Sequence, residues 1–391
     1  MTNKKRVVAV TGTKSEYNII YPLLKALNTS PEYSLGVVVS GAHLSEVHGL
    51  TMKMVIKDGF DVVDKVYSLH STDQPVQRAL AVSNLISGLC QSVTRLDPDI
   101  LLVVGDREES IAVATVGNYC NILTCHVGGG DPVYGNSDDP IRTAVSKLAH
   151  VHFTTTENYA NNLRLSGEDS WRICNIGTPG LDILLQEKYE SKDQVLDKLE
   201  IPNADYLVVI KHPLSSEVEQ ASFQMDVTLS ALEAFCFSTG MIAIILQSNN
   251  DPGSYSMKEH FESSQKSGIY FKPTQDRTTF VNLMRHAKAL VGNSSMGILE
   301  APMYGLPVIN IGNRQKGRLN AGNVEFVKYD VDEIVLKIKR ACFDETYREN
   351  VKKLINPYGD GYAALKFMKF LETINLTDKP WTTKKCFFPI H

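Results

Sequence analysis

The sequence predicts an α/β fold in which two doubly wound parallel sheets follow one another and face each other across a cleft. Three observations carry this expectation. Short β-branched runs alternate with amphipathic helical segments along most of the chain, the pattern of a parallel sheet with helices on both faces. The strand runs are mostly apolar throughout instead of alternating, which is how a strand buried on both faces reads. The series breaks off near the middle at a polar stretch and then begins again. A length of 391 residues is well above the ~150 residues of one domain. A composition of 43% hydrophobic and 21% charged residues suits a packed globular chain.

In the first series, strands are expected at Arg6–Val10, Leu35–Val39, Ile100–Val104, Ile122–His126, Val151–Thr155 and Arg172–Ile176. Between them, Tyr17–Leu27 puts Ile20, Leu23, Leu24 and Leu27 on one stripe, and Arg78–Arg95 forms a second helix. From Gln186 to Ala204 the chain turns charged and polar and ends in Ile201-Pro202-Asn203-Ala204, read as a connector. Strands resume at Tyr206–Ile210, Met241–Leu246, Gly268–Phe271, Ala289–Val291 and Val308–Ile311, with helices Gln224–Ser238 and Thr278–His286 among them. After Tyr358-Gly359-Asp360-Gly361, one helix, Ala363–Leu371, precedes an irregular end. The expected division is residues 1–185, residues 186–370, and a tail of residues 371–391 packing back on the first domain.

Lys and Arg number 40 against 44 Asp and Glu, a formal charge of -4. The chain therefore lacks the basic surface that grips a polyanion along its length, and nucleic acid is not an expected partner. A small anion held by a few placed residues is compatible with this balance. No apolar run reaches the ~18 residues of a membrane span. The basic start, Met1–Arg6, runs through a short apolar stretch into Thr11-Gly12-Thr13, the beginning of a strand and not of a signal peptide. Cys90, Cys120, Cys125, Cys174, Cys236, Cys342 and Cys386 include no Cys-x-x-Cys. Reduced, buried thiols in a cytoplasmic protein are expected, with neither a disulfide framework nor a metal site.

In open parallel sheets, ligands bind beyond the carboxyl ends of the strands, so the strand-to-helix loops are the places to look. Thr11-Gly12-Thr13-Lys14-Ser15 opens a helix and reads equally as an anion-binding turn or an ordinary one. It matches neither the dinucleotide nor the phosphate-loop glycine pattern. Gly105-Asp106-Arg107 puts an acid and a base at a strand end, where packing alone does not explain them. His126-Val127-Gly128-Gly129-Gly130-Asp131 has three successive glycines, which mark an abrupt bend or a close approach. In Asn136-Ser137-Asp138-Asp139, capping of the helix from Pro140 accounts for Asp139, while Asp138 is surplus to that need. Lys211-His212-Pro213 follows a strand in the second half, with His212 as readily structural as functional. Gly292-Asn293-Ser294-Ser295-Met296-Gly297 leads into a helix and offers hydroxyls and free amides for a diphosphate. Glu300, about one and a half turns on, is placed to accept from sugar hydroxyls, and Arg314 adds charge from a neighbouring loop.

Gly105-Asp106-Arg107, Asp138-Asp139-Pro140-Ile141-Arg142, Lys147-Leu148-Ala149-His150, His212-Pro213, Gly292-Asn293-Ser294-Ser295-x-Gly297, Glu300 and Gly312-x-Arg314-Gln315 together resemble the UDP-N-acetylglucosamine 2-epimerase family. The fit is best to its hydrolysing branch, which makes N-acetylmannosamine for sialic acid synthesis, and the order and spacing span nearly the whole chain. The ending, with Lys384-Lys385-Cys386-Phe387-Phe388-Pro389, is similar to the epimerase portion of the bifunctional animal enzyme. The resemblance implies two Rossmann-like domains in the GT-B arrangement, a UDP-sugar as the small-molecule partner, no cofactor or metal, no membrane, and a homo-oligomer (dimer or tetramer) in the cytoplasm. It also implies a chemistry: departure of UDP from C1 makes the C2 proton removable, a 2-acetamidoglucal forms, and water adds to release the inverted sugar. Carried over by position, Lys14, Asn18, Arg107, His212, Asn249, Ser294, Ser295, Gly297, Glu300 and Arg314 would contact UDP or the sugar. Asp106, Asp138 and Asp139 match the acid/base carboxylates, with His212 beside them.

The chain departs from the family at two places. Lys14 stands where the family has Arg, keeping the charge and losing the bidentate fork. The family's His-x-Glu-Gly-Gly-Glu reads His126-Val127-Gly128-Gly129-Gly130-Asp131, so Gly128 replaces a catalytic glutamate. Three readings stay open: Asp131 supplies the carboxylate, the substrate is another UDP-hexose such as a 2,4-diacetamido sugar, or only binding survives. A GT-B glycosyltransferase is the competing class. Glu259 and Glu262 take the places of an arginine pair that serves feedback by CMP-sialic acid in the animal enzymes, so no feedback is expected.

Overall fold

A computed structural model describes residues 4–70, 76–132, 138–212, 219–247, 267–273 and 275–384. The chain forms two compact units, Met1–Leu185 with Tyr358–His391, and Gln186–Pro357.

In the first unit, β1 (Lys5–Thr11), β2 (Tyr33–Ser40), β3 (Val62–Val66), β4 (Ile100–Val104), β5 (Leu123–Val127), β6 (Val151–Thr154) and β7 (Ile173–Asn175) form one sheet. Its order is β3-β2-β1-β4-β5-β6-β7, and every pair is parallel. The helices are α1 (Lys14–Thr29), α2 (Met52–Lys57), α3 (Val76–Leu96), α4 (Glu108–Cys120), α5 (Asp138–Leu148), α6 (Glu157–Leu165) and α7 (Gly180–Gln186). Helix α1 starts where Thr13 Oγ1 accepts from Glu16 N at 3.3 Å, and its Ile20, Leu23, Leu24 and Leu27 stripe is fully buried in the core that also holds Val37 and Val39. β3 was not expected. It is a sheet edge whose Val-Val-Asp-Lys-Val sequence carries charges a doubly buried strand would not.

The second unit repeats the plan with β8 (Tyr206–Ile210), β9 (Ile242–Leu246), β10 (Ile269–Lys272), β11 (Ala289–Gly292), β12 (Val308–Ile311) and β13 (Val324–Val327), ordered β10-β9-β8-β11-β12-β13. β13, again a charged edge strand, was the one missed here. The stretch read as a connector is structured. Helix α8 (Lys192–Lys198) is set by a capping box between Ser191 and Gln194, and Val195, Leu196, Leu199 and Ile201 enter the core with Val208 and Ile210. Its charged residues are simply the outer face of a short amphipathic helix. Helix α9 (Ala221–Thr239) covers the other face with Leu232 and Phe235.

The chain returns to the first unit at Tyr358, earlier than the boundary expected after residue 370. Asp182 explains the return: its carboxylate accepts from Ala363 N at 2.8 Å and Ala364 N at 2.7 Å, capping the helix Ala363–Glu372. Phe367 of that helix packs on Phe153 with ring centroids 4.7 Å apart. The end is also more ordered than expected. Arg172, 2% exposed, donates to the carbonyls of Pro380, Trp381 and Thr383. Lys384 donates to those of Ser146 and Ala149 at the end of α5 and pairs with Glu168 at 2.5 Å.

The expectation of buried thiols holds for Cys125, Cys236 and Cys342, while Cys174 is half-buried. Cys90 and Cys120 are exposed: Leu89 takes the inward position on α3, and Cys120 is the last residue of α4. Among the described residues, no helix is long and apolar enough to cross a membrane.

Candidate active site

In both sheets the strand order reverses beside the first strand of the unit, between β1 and β4 and between β8 and β11. Ligands of doubly wound sheets bind beyond the carboxyl ends at such a reversal. The candidate loops Gly12–Lys14 and Gly105–Arg107 leave β1 and β4, while Lys211–His212 and Asn293–Ser295 leave β8 and β11.

In the first unit, Arg142 gathers the site. From α5 its guanidinium bonds Asp106, donates to the Gly128 carbonyl at 2.9 Å and pairs with Asp131 at 3.2 Å. Its side chain is only 12% exposed. One cation thus holds two carboxylates from different strand ends, β4 and β5, in one cluster. Asp131 also lies beside the Tyr159 hydroxyl, whose pKa is raised by burial and by that carboxylate. Asp131, Asp139, Arg142 and Ser146 line a pocket of about 170 Å³. On the other side of the cluster, Asp106 and Arg107 border an apolar pocket of about 390 Å³ with Val82, Ile111 and Ile141. Lys14 and Arg107 are exposed at the starts of α1 and α4, and Asn18 is half-buried one turn into α1.

The glycine loop owes its shape to conformation and crowding. Gly128 has φ +89 and Gly130 φ +77, values that favour glycine. A side chain on Gly130 would collide with the Tyr159 carbonyl, whereas the space beside Gly128 is open. Glycine at 128 therefore leaves the backbone free to turn, and its carbonyl accepts from Arg142. His126, which opens the loop, is wholly buried and donates from Nε2 to the Gly105 carbonyl at 2.7 Å. Desolvation holds its pKa down at about 3, so it stays neutral and ties the two loops together.

In the second unit, His212 and Asn293 form a reciprocal clamp. His212 N donates to Asn293 Oδ1 at 2.7 Å, and Asn293 Nδ2 donates to the His212 carbonyl at 2.8 Å. Arg314 and Gln315 both reach the Asn293 carbonyl at 3.1 Å. Lys211 donates to the Tyr329 hydroxyl at 3.1 Å and lies over its ring, 4.7 Å from the centroid. Gly292, at φ +134, has no room for a side chain against the Ile210 carbonyl. The helix after Ser295 is shorter than expected: a single turn, Met296–Leu299, then a 3-10 turn, Ala301–Tyr304. So short a helix has little macrodipole, and the local N–H groups carry any anion binding. Ser294 Oγ accepts from Met296 N at 3.4 Å. Ser295 starts the helix without a side-chain cap, which leaves its hydroxyl available for a ligand. Gly297 has a packing role, since a Cβ there would lie 2.7 Å from Val308 Cγ1. Desolvation pushes the Glu300 carboxyl up to about 7, the state of a group that hydroxyl donors would stabilise as a carboxylate.

Asn249, Glu259, Glu262, Pro213 and the side chain of Asp138 lie outside the described residues. Arg142 is not among the site residues expected from the sequence, although it lies three positions after Asp139 and so one helical turn from it. Tyr159 carried no local signal at all.

A family model described as UDP-N-acetylglucosamine 2-epimerase matches residues 25–372. The chain is 30% identical over 338 residues to the UDP-N-acetylglucosamine 2-epimerase of Neisseria meningitidis serogroup B, covering 86% of this chain and 88% of that one. It is also 30% identical over 379 residues to the UDP-N,N'-diacetylbacillosamine 2-epimerase (hydrolyzing) of Legionella pneumophila, covering 95% and 97%. Among solved structures, UDP-GlcNAc 2-epimerase from Neisseria meningitidis bound to UDP-GlcNAc matches with a TM-score of 0.77 at 20% identity, over 94% of this chain and 100% of that chain.

Proposed function

Because the chain belongs to the UDP-N-acetylglucosamine 2-epimerase family, we propose that it is a hydrolysing 2-epimerase, converting a UDP-2-acetamido sugar and water into UDP and the free 2-epimer for sialic-acid-like sugar synthesis. The observation that carries this reading is the Arg142 cluster, which keeps Asp106, at the strand-order reversal, beside Asp131 from the next strand end although the family glutamate is gone. A relative matching nearly the full length is named as hydrolyzing, which supports the same direction.

In this reading the second unit holds UDP. The amides and hydroxyls of Ser294 and Ser295, with Arg314 and His212, take the diphosphate, and Glu300 takes ribose hydroxyls. Cleavage of the C1–O bond leaves the electron pair on UDP, and Asp131 takes the C2 proton as the C1–C2 double bond forms. Water then adds its oxygen to C1 while a proton returns to the opposite face of C2, with Asp106 and Asp139 as the remaining carboxylates. Arg107 and Lys14 offset the charge that develops on the leaving group. Burial of Arg142 between two carboxylates fixes their positions, which is how general acid/base groups gain their typical 10²–10⁴-fold.

Gly128 favours one other reading, a nucleotide-sugar binding protein without turnover. Proton NMR of the protein with UDP-N-acetylglucosamine, and separately with UDP-N,N'-diacetylbacillosamine, in water alone decides between them. Release of UDP and a free 2-epimer is the expected result. Return of a UDP-linked epimer indicates the non-hydrolysing reaction, an acceptor requirement indicates a glycosyltransferase, and binding without change indicates the binding protein.

A further inference from the structure

The loops flanking the β1/β4 reversal rest on two carboxylates that the proposed mechanism does not use. Glu16 on α1 and Glu109 on α4 are only 6% and 5% exposed. Ser40 Oγ donates to Glu109 Oε1 at 2.8 Å. Gly12 N and Thr13 Oγ1 donate to Glu16 Oε2 at 3.4 and 3.3 Å, while Glu16 Oε1 is buried without a hydrogen-bond partner among the described residues.

Three glycines close over the pair. A Cβ on Gly12 would overlap the Glu109 carboxyl, one on Gly41 would come 2.8 Å from Glu109 Oε1, and one on Gly105 would lie 3.7 Å from Glu16 Oε1. The loops after β1, β2 and β4 thus meet on these two carboxyl groups, and side chains are absent where they do. Among the described residues no ion pair is made to either one. Arg107 and Glu108, at the start of α4, are charged groups that also act on the pair. His43, from the turn after β2, reaches the same loop through Thr11 Oγ1 at 3.2 Å and stays neutral, held down to about 4 by burial.

Two buried carboxylates without a paired cation are strongly unfavourable as two charges. One shared proton removes a charge and gives the unpartnered oxygen a hydrogen bond, the behaviour of coupled carboxyl dyads. Desolvation and the Glu109 charge push Glu16 up to about 8, and desolvation raises Glu109 as well.

We propose that Glu16 and Glu109 hold one proton between them, and that this proton latches the loops Gly12–Lys14 and Gly105–Arg107 in the arrangement that receives the substrate. They are positioning residues and do not touch the sugar. The inference rests on the functional reading above for its consequence in turnover, but the latch itself is a property of the folded first unit. When the proton leaves, a second charge appears in the interior, and lifting the loops to admit water relieves it.

The test compares the wild-type chain with Glu16→Gln and Glu109→Gln, whose amides supply a permanent N–H donor in place of the proton. Hydrogen exchange at Gly12–Lys14, read as the variant-to-wild-type difference from pH 6.5 to 9, needs no turnover. Wild-type protection relative to either Gln variant is expected to decline as pH rises toward about 8 and to level off beyond it, with the melting temperature following the same course in the wild type and staying flat in Glu16→Gln. On the kinetic side, wild-type kcat/KM is expected to decline over the same approach to pH 8, and that decline to be absent in Glu109→Gln. Equal pH dependence of exchange in wild type and both variants overturns the latch. Exchange that behaves as expected alongside no turnover of any UDP-sugar leaves the latch standing and removes the epimerase reading instead. Should Glu16→Gln fail to fold, Glu109→Gln decides alone.

Discussion

The two units use one topology to opposite electrostatic ends. Beyond the carboxyl ends of the first sheet, the loops bring acids together: Asp106 and Asp131 on Arg142, with Glu16 and Glu109 buried under the neighbouring loops. Beyond those of the second, they bring donors: Lys211, His212, Asn293, two serines, Arg314 and Gln315. A shared sheet plan therefore fixes where a ligand meets the chain, and the residues after each strand decide what is done to it. An acid-rich end suits proton transfer, and a donor-rich end suits a diphosphate.

The largest effect should come from splitting the two roles. Asp131→Asn is expected to lower turnover by about 10²–10⁴-fold while UDP binding by calorimetry remains, because the change leaves the second unit alone. Unchanged turnover removes Asp131 from the chemistry and points back to Asp139. Next is the reverse experiment. Asn293→Ala strips the buried clamp from His212 N–H, leaving a donor unsatisfied at about 1–3 kcal/mol. It should weaken UDP binding about tenfold and destabilise the second unit, with the exchange protection of the first unit unchanged.

A smaller effect concerns acid. His43, His126, His150 and His152 all lie in the first unit and are all held below the ordinary histidine value by burial, to between about 3 and 4. Below pH ~6.5 the unfolded chain takes up protons that the folded one refuses, so folding stability is lost as pH falls through that window. Glu168 adds to the loss further down. Desolvation opposes its charge, but His152 and Lys384 outweigh that and hold it at about 2. With His152 neutral near pH 7, Lys384 and Lys147 carry the attraction there. Its contribution is present above the ordinary value of 4.5 and fades as pH falls toward 2. Glu16 works the other way, favouring the fold as pH drops from about 8 to 4.5, so the net acid loss is steepest below that value. Pulsed hydrogen exchange during acidification should show the first unit opening before the second.

Much of this was legible in the sequence, and the failures share a cause. Strands buried on both faces announce themselves: Ile100–Val104, Tyr206–Ile210 and Val308–Ile311 were bounded to the residue. The edge strands Val62–Val66 and Val324–Val327 have one neighbour and carry charges, which blurs them into loops, whereas the edges β7 and β10 kept enough apolar residues to be read as strands. The site followed the same rule. Residues after a strong strand, Asp106, Asp131, His212 and Ser294, could be picked out by place. Tyr159, Glu16 and Glu109 act from helices and depend on which loop folds over them, which no local pattern records, and Arg142 stood in a legible motif whose role as a clamp for two carboxylates appears only in the fold. Gly128 was legible as a departure from the family, but its use as a carbonyl ligand of Arg142 emerges only in three dimensions.

In the proposed reaction the carboxylates of the first unit exchange the C2 proton of a UDP-linked sugar with solvent. Running the reaction in deuterium oxide and reading the released sugar by NMR tests it most directly. The expected product is free 2-epimer carrying deuterium at C2, with no such product from Asp131→Asn. A free sugar that keeps its original hydrogen at C2 would contradict it.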